Sequence, residues 1–374
     1  MDRVKVALAC RRVRGSTGTE TTIFEHARRL CALGWEVHVY AEKLDSRRLK
    51  AYGARPHLVP GWPWGSHFKR RVFAALSDAL LSPKKFDLVW GHGDSLRQDV
   101  LSLHNCVHAA HQAVRGAPLP AASGVGRIHE RQLREKSFRL LIANSALMKK
   151  ELMDRFAIPE GLLSVVHPGH DPVRFRPGGR QELGLPLRRR LGIPEDALLV
   201  GFITSGDFKK RGLDIFLEAL ARLSAPIKDR VHALVLGKES RLGPWQDMAG
   251  STGLGARLHF LPPVDKVESA YHALDVYCHP ARYEEFGQSV QEAMACAVPV
   301  LTSRCVGASE LFGPLATSLL ADAPEAGSLA RDLTRLIADE GLRSRLGAEG
   351  AEAAGPNSWE ANFNATLACL RRLL

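Results

Sequence analysis

The chain reads as an α/β protein with two doubly wound parallel sheets, one in each of two domains, and three observations predict this. Short apolar runs alternate with amphipathic helical stretches along the whole sequence, as expected of parallel strands covered by helices. A length of 374 residues exceeds what one ordinary core holds and suits two domains. A Pro-, Gly- and Arg-rich stretch of low periodicity, residues 169–195, separates two alternating series and reads as a linker. The expected domains are therefore 1–168 and 196–356, with a terminal helix over 357–374 packing back on the first.

Taken in order, residues 4–9 form the first expected strand. The loop 11–19 leads to an amphipathic stretch, 21–33, closed by Gly34. Short apolar strands are expected at 37–41, 86–91, 100–104 and 140–145, then a helix at 146–156 and a strand at 163–167. The second series opens with a strand at 198–203. It continues through a helix at 212–223, strands at 231–237 and 258–261, a helix at 267–273 and a strand at 276–278. After a strand at 298–302 come helices near 328–340 and 342–354, and a last helix beginning around Ser358.

Apolar content of 45% and charged content of 24% are those of an ordinary globular protein. Seven scattered cysteines form no CxxC or Cys/His metal spacing, which suits a reduced, cytoplasmic compartment. The first apolar run is too short for a signal peptide, and no stretch approaches the ~20 residues of a membrane span. The net charge of +11 is uneven: residues 1–170 hold 27 Lys and Arg against 15 Asp and Glu, while the remainder is near neutral. A field of that sign attracts an anionic lipid surface or an acidic acceptor. Nucleic acid is the weaker partner, since no RNA-binding aromatic pattern or helix-turn-helix is present.

The most informative segment runs from Tyr283 to Val300. Glu284 and Glu292 flank a turn containing Gly287 that opens a helix, with apolar residues at 290, 293, 294 and 297. A helix start suits a phosphate, and carboxylates to either side suit hydroxyl-rich groups, which is the layout of a sugar–diphosphate–ribose ligand. Tyr283 through Pro299 resembles the E-x7-E motif of the retaining glycosyltransferases of family 4, whose architecture is GT-B, two such domains facing a cleft. Glu285 stands where that family has a small residue, and Ala297 where it has Gly.

Other segments carry the same resemblance in the family's order. Arg14 to Glu20 lacks G-x-G-x-x-G and so disfavours a nicotinamide dinucleotide; it is similar to the family's glycine-rich first loop, where Gly18 and Thr19 would approach the donor diphosphate or acceptor. His104 follows an expected strand, as a site histidine does in the family, whereas His92, His108 and His111 read as structural. Val165 to Pro177 resembles the segment leaving the first domain. Thr204 to Asp214 resembles the basic turn that neutralises a diphosphate, with Ser205 near the place of the usual Arg and Lys210 and Arg211 as the cations. That variant, together with His279-Pro280-Ala281, is similar to the lipopolysaccharide core glucosyltransferase subgroup.

The resemblance implies a metal-independent, retaining transfer of a hexose from a nucleotide sugar, in the first place a UDP-sugar, to a glycan or lipid-linked acceptor such as lipopolysaccharide core. It needs no cofactor. Glu284 would hold the donor sugar and Glu292 the ribose. Phe286, Gly287, Gln288, Ser289 and Val290 would supply amides to the diphosphate beside Lys210 and Arg211, with Val264 also lining the donor. His104, Lys210, Arg211 and Glu284 are the catalytic candidates. A sugar-nucleotide epimerase on the same fold and a non-catalytic basic binding protein stay open. The segment 61–73, with Trp62, Trp64, Lys69, Arg70 and Arg71, reads either as a loop with partly buried tryptophans or as a shallow docking patch for an anionic membrane, peripheral to the inner face.

Overall fold

A computed structural model describes residues 3–15, 17–62, 66–81 and 85–374. Two compact units divide the chain: residues up to Gly169 together with Trp359–Leu374, and His170–Ser358.

The first unit carries seven parallel strands: β1 (Lys5–Ala9), β2 (Glu36–Ala41), β3 (Arg55–Leu58), β4 (Leu88–Gly91), β5 (Val100–Leu103), β6 (Leu140–Ala143) and β7 (Leu163–Val165). Their spatial order is β3-β2-β1-β4-β5-β6-β7, so the winding reverses between β1 and β4. That reversal is where ligands of doubly wound sheets collect. The central strands are buried, as the continuous apolar runs require. The helix Trp359–Arg371 belongs to this unit, and its Phe363, Leu367 and Leu370 pack in the core with Val6, Leu8 and Ile23.

Several elements here differ from expectation. β3 holds Pro56 and lies at the sheet edge, where a missing N–H costs no ladder bond. The helix Gly124–Glu135 has few apolar positions; it buries Gln132 and His129 beside Ile128 and Leu133, so hydrophobic periodicity hides it. From residue 66 the segment read as a loop is the helix Ser66–Leu80. Trp64 lies outside the described residues.

The second unit has five parallel strands, β8 (Leu198–Ile203), β9 (Val231–Leu236), β10 (Leu258–Leu261), β11 (Val276–Cys278) and β12 (Val300–Leu301), in the order β10-β9-β8-β11-β12. Its winding reverses between β8 and β11.

Residues 170–195, read from composition as linker, are part of this unit's body. Phe175, Leu187 and Ile193 enter its core. Arg188 is 1% exposed and donates to the Ala273 carbonyl at 2.9 Å, the Asp275 carboxylate at 3.0 Å and the Pro194 carbonyl at 3.1 Å, with Ala197 O also in reach. Asp275 in turn accepts from the Leu199 amide at 2.7 Å. A polar, arginine-rich sequence is thus folded in by one guanidinium that satisfies buried carbonyls. Arg188→Ala is therefore expected to cost about 3–5 kcal/mol in urea unfolding, as for a buried charge pair broken on one side. Exposed Arg190→Ala should stay within about 0.5 kcal/mol of the parent.

Candidate active site

In the second unit the predicted residues converge at the carboxyl ends of β8 and β11. Past β8, exposed Ser205 precedes Asp207, whose backbone is left-handed (φ 53°) and whose carboxylate accepts from the Lys210 amide at 3.1 Å. That cap starts the short helix Phe208–Arg211. Gly212 ends it at φ 80°, and a Cβ there would meet the Pro280 carbonyl oxygen at 1.9 Å. Only glycine lets the basic turn lie against the segment after β11. Arg282 completes the seam, its amide donating to Lys210 O at 2.9 Å and its guanidinium to Lys209 O at 2.8 Å and to both Asp214 oxygens at 2.8 and 2.7 Å.

This seam aligns two cations with two acids. Lys210 Nζ donates to Glu285 Oε2 at 2.8 Å, and Arg211 Nε stands against Glu284 Oε2. The Arg211 contact is an ion pair without hydrogen-bond alignment, for Glu284 Oε2 has no hydrogen-bond partner. Burial pushes the Glu284 carboxyl up, but Arg211 and Lys210 outweigh it and hold it well below the usual carboxylate range. Glu284 is therefore ionised and offers acceptors only. Its backbone is pinned too, its amide donating to Cys305 O at 2.9 Å and its carbonyl accepting from Gly307 N at 3.0 Å.

Gly287 (φ 96°) caps the helix Gln288–Ala295, and a Cβ there would come within 2.9 Å of Val306 Cγ1. No acid lies within that helix's own first turn, and a helix start carries the positive end of the dipole. Buried Phe286 and Val290 brace the turn, while Gln288 and Ser289 are half-buried. Val264 is half-buried beyond the end of β10. Glu292 is half-buried and accepts from Tyr271 Oη at 2.8 Å. Burial pushes it up to about 7, against the pull of Tyr271 and Arg174. The helix ends at Ala297 in left-handed backbone (φ 59°), the conformation that explains a glycine at this place in the family.

Three groups at this site escaped the sequence reading. Tyr277 and His279 alternate on β11 and beyond it, sharing one face, a period-2 signal visible in Val276-Tyr277-Cys278-His279. Glu285, noted only as an odd residue, is the partner of Lys210.

In the first unit, the helix expected from residue 21 begins at Gly18, because Thr17 accepts from the Glu20 amide at 3.3 Å and Glu20 accepts from the Arg14 amide at 2.8 Å. Gly18 and Thr19 are thus first-turn residues and not loop; the loop glycine with left-handed backbone is Gly15 (φ 87°). His104 is half-buried and hydrogen-bonds to His92 at 3.0 Å. His92 continues a stacked column through Trp90 to His26, with centroid spacings of 5.3, 5.1 and 4.8 Å. Burial drives His104 down to about 3 and His26 to about 4, so the column is neutral. Arg70 reaches Asp94 at 2.5 Å, and the Arg11 amide donates to the same carboxylate at 3.1 Å. His108 and His111 serve structure, packing on Phe156 and reaching Ala117 O.

Comparison with known proteins fits this geometry. The family model described as Glycosyltransferase Family 4 matches residues 16–174, and that described as Glycosyl transferases group 1 matches 186–353. A D-inositol 3-phosphate glycosyltransferase of Geodermatophilus obscurus is 30% identical over 94% of this chain and 84% of its own length. The chain belongs to glycosyltransferase family 4. A namesake from Thermobifida fusca is 30% identical over 72% of this chain, the match spanning 64% of that relative. Among solved structures, WaaG, a glycosyltransferase involved in lipopolysaccharide biosynthesis, superposes with TM-score 0.79 at 19% identity, covering 96% of this chain and 99% of that one. Anabaena HepE in complex with UDP and glucose gives 0.77 at 18% identity, covering 99% and 100%. These likenesses establish the GT-B fold class for this glycosyltransferase.

The raised Glu292 carboxyl yields a stability test. Folding holds its proton between the ordinary value of 4.5 and about 7, a window in which the unfolded chain has released it. Stability relative to Glu292→Gln is expected to fall as pH rises through that window and to level off above it. Parallel melting-temperature profiles of the two proteins check this; parallel curves would count against a buried, protonated Glu292.

Proposed function

We propose that this glycosyltransferase moves a hexose from a UDP-sugar to an anionic acceptor, with retention. The observation that carries the reading is the pairing of Lys210 and Arg211 with Glu285 and Glu284 beside the open start of the helix Gln288–Ala295. The donor diphosphate lies across the helix start and the two cations, which stabilise it most as its charge grows on departure. An ammonium has three N–H bonds, so Lys210 can serve Glu285 and a phosphate oxygen together. Ionised Glu284 accepts from donor-sugar hydroxyls, and Glu292 from the ribose. With cations and amides in these places, the reaction needs no metal. The leaving phosphate takes the acceptor's proton on the same face. UDP and glucose in HepE support the donor class.

In the first unit, Gly18 and Thr19 offer helix-start amides and His104 a neutral imidazole, as the family resemblance implies for that unit. Two observations favour an anionic acceptor: the positive excess of residues 1–170 and the phosphate in the names of the relatives. A lipid-linked form, as in lipopolysaccharide core, is favoured by the exposed Trp62 and Phe68, at 39% and 52%, beside Lys69 and Arg71. Arg70 is turned to Asp94. Among the described residues no helix is long and apolar enough to cross a membrane, and the enzyme is read as cytoplasmic and peripheral.

Glu284→Ala should lower kcat by about 10²-fold or more, as when a group aimed at the transition state is lost. Lys210→Ala with Arg211→Ala should weaken UDP in calorimetry by about 1.5–3 kcal/mol per lost charged hydrogen bond. Near-normal turnover of the first variant, or unchanged UDP affinity of the second, would sink the assignment. Turnover of UDP-sugar to an epimer without acceptor would point instead to an epimerase.

The lipid arm has its own test. Co-sedimentation with anionic vesicles is expected at low salt, fading as the Debye length drops below ~8 Å. Equal behaviour with neutral vesicles would leave a soluble sugar phosphate as the acceptor.

A further inference from the structure

Tyr277 joins three parts of the donor site through one oxygen. Its hydroxyl lies 2.8 Å from the Ile203 carbonyl at the end of β8, 3.0 Å from His279 Nδ1 and 2.9 Å from Ser289 Oγ in the first turn of the helix Gln288–Ala295. Tyr277 is fully buried and His279 is 1% exposed. On its other side, His279 Nε2 faces Glu284 Oε2 at 3.7 Å, and neither atom has a hydrogen-bond partner.

Proton counting assigns these contacts. A carbonyl only accepts, so the single phenolic proton of Tyr277 goes to Ile203. His279 Nδ1 must then be the donor to the phenolic oxygen. Burial lowers the His279 basicity, so the ring is neutral and carries one proton in all. That proton is on Nδ1, and Nε2 is bare. Ser289 can supply its own hydroxyl proton to the same phenolic oxygen.

We infer that Tyr277 is a positioning residue that fixes His279 in its Nδ1–H form, so that the imidazole donates nothing to the buried Glu284 Oε2, which stays with Arg211, and the carboxylate keeps its other oxygen turned to a hydroxyl of the bound sugar. The opposite tautomer would place Nε2–H toward the carboxylate and occupy the oxygen that Arg211 already crowds. The inference rests on Glu284 as the sugar-binding group, and it adds the residue that keeps Glu284 available.

The test uses the full chain, with Glu284→Ala measured first. That variant should lose the difference in affinity between UDP-glucose and UDP; if it does not, the assignment of Glu284 falls, and this inference with it. With ¹⁵N-labelled histidines, the His279 signal is identified by its absence in His279→Asn. In the unsubstituted enzyme it should show a protonated Nδ1, and in Tyr277→Phe a protonated Nε2. Tyr277→Phe should weaken UDP-glucose about tenfold more than UDP, a change of ~1.4 kcal/mol. His279→Asn, which keeps a donor near the Nδ1 position and nothing at Nε2, should retain most of the preference for UDP-glucose. His279→Gln, which brings an amide near Nε2, should lose it. A protonated Nε2 in the unsubstituted enzyme overturns the inference even where a variant does not fold. So does a Tyr277→Phe protein that keeps both the tautomer and the preference, in an enzyme whose Glu284→Ala form has lost that preference.

Discussion

The close approach of Gly212 to the Pro280 carbonyl is the constraint on which the candidate site of the second unit depends. It brings two backbone segments from the ends of neighbouring strands together without an intervening side chain. The charges are arranged on that seam: Lys210 opposite Glu285, Arg211 opposite Glu284, and Arg282 clamped on Asp214. Were the seam to open, six buried or half-buried charges would lose their partners together, at a cost far above that of any surface ion pair. The charges along the seam thus balance one another.

The two units use titratable groups in opposite ways. In the second, opposed charges keep Glu284 ionised while burial keeps Glu292 close to neutrality, so two carboxylates of one motif have different characters. In the first, burial leaves the column from His26 to His104 uncharged. The positive excess of that unit belongs to its lysines and arginines, and several of these, Arg70 and Arg11 among them, are already engaged with acids.

Much of this was legible in the chain itself. The strands at 198–203 and 276–278 follow from apolar runs, because central parallel strands are buried on both faces, and the helix at 146–156 follows from periodicity. The acids at 284 and 292 and the cations at 210 and 211 could be singled out because a helix start and a basic turn are local features. The helix beginning at Gly18 was within reach as well, since Thr17 and Glu20 stand at capping distance.

What the sequence alone determined, then, is the fold class, the family and the local pattern of acids and cations around residues 210 and 284–292, all of which depend on neighbours a few positions apart. Only the tertiary structure decided which acid meets which cation, since Lys210 and Glu285 are brought together from 75 residues apart. It alone showed residues 170–195 folded into a core, because Arg188 finds its carbonyl partners as far away as Ala273 and Asp275. The roles of Tyr277 and His279 are of the same kind. A phenol and an imidazole on one strand face look like core residues until Ile203, Ser289 and Glu284 are placed around them, and a hydrogen bond has no signature in a sequence until both its ends are in position.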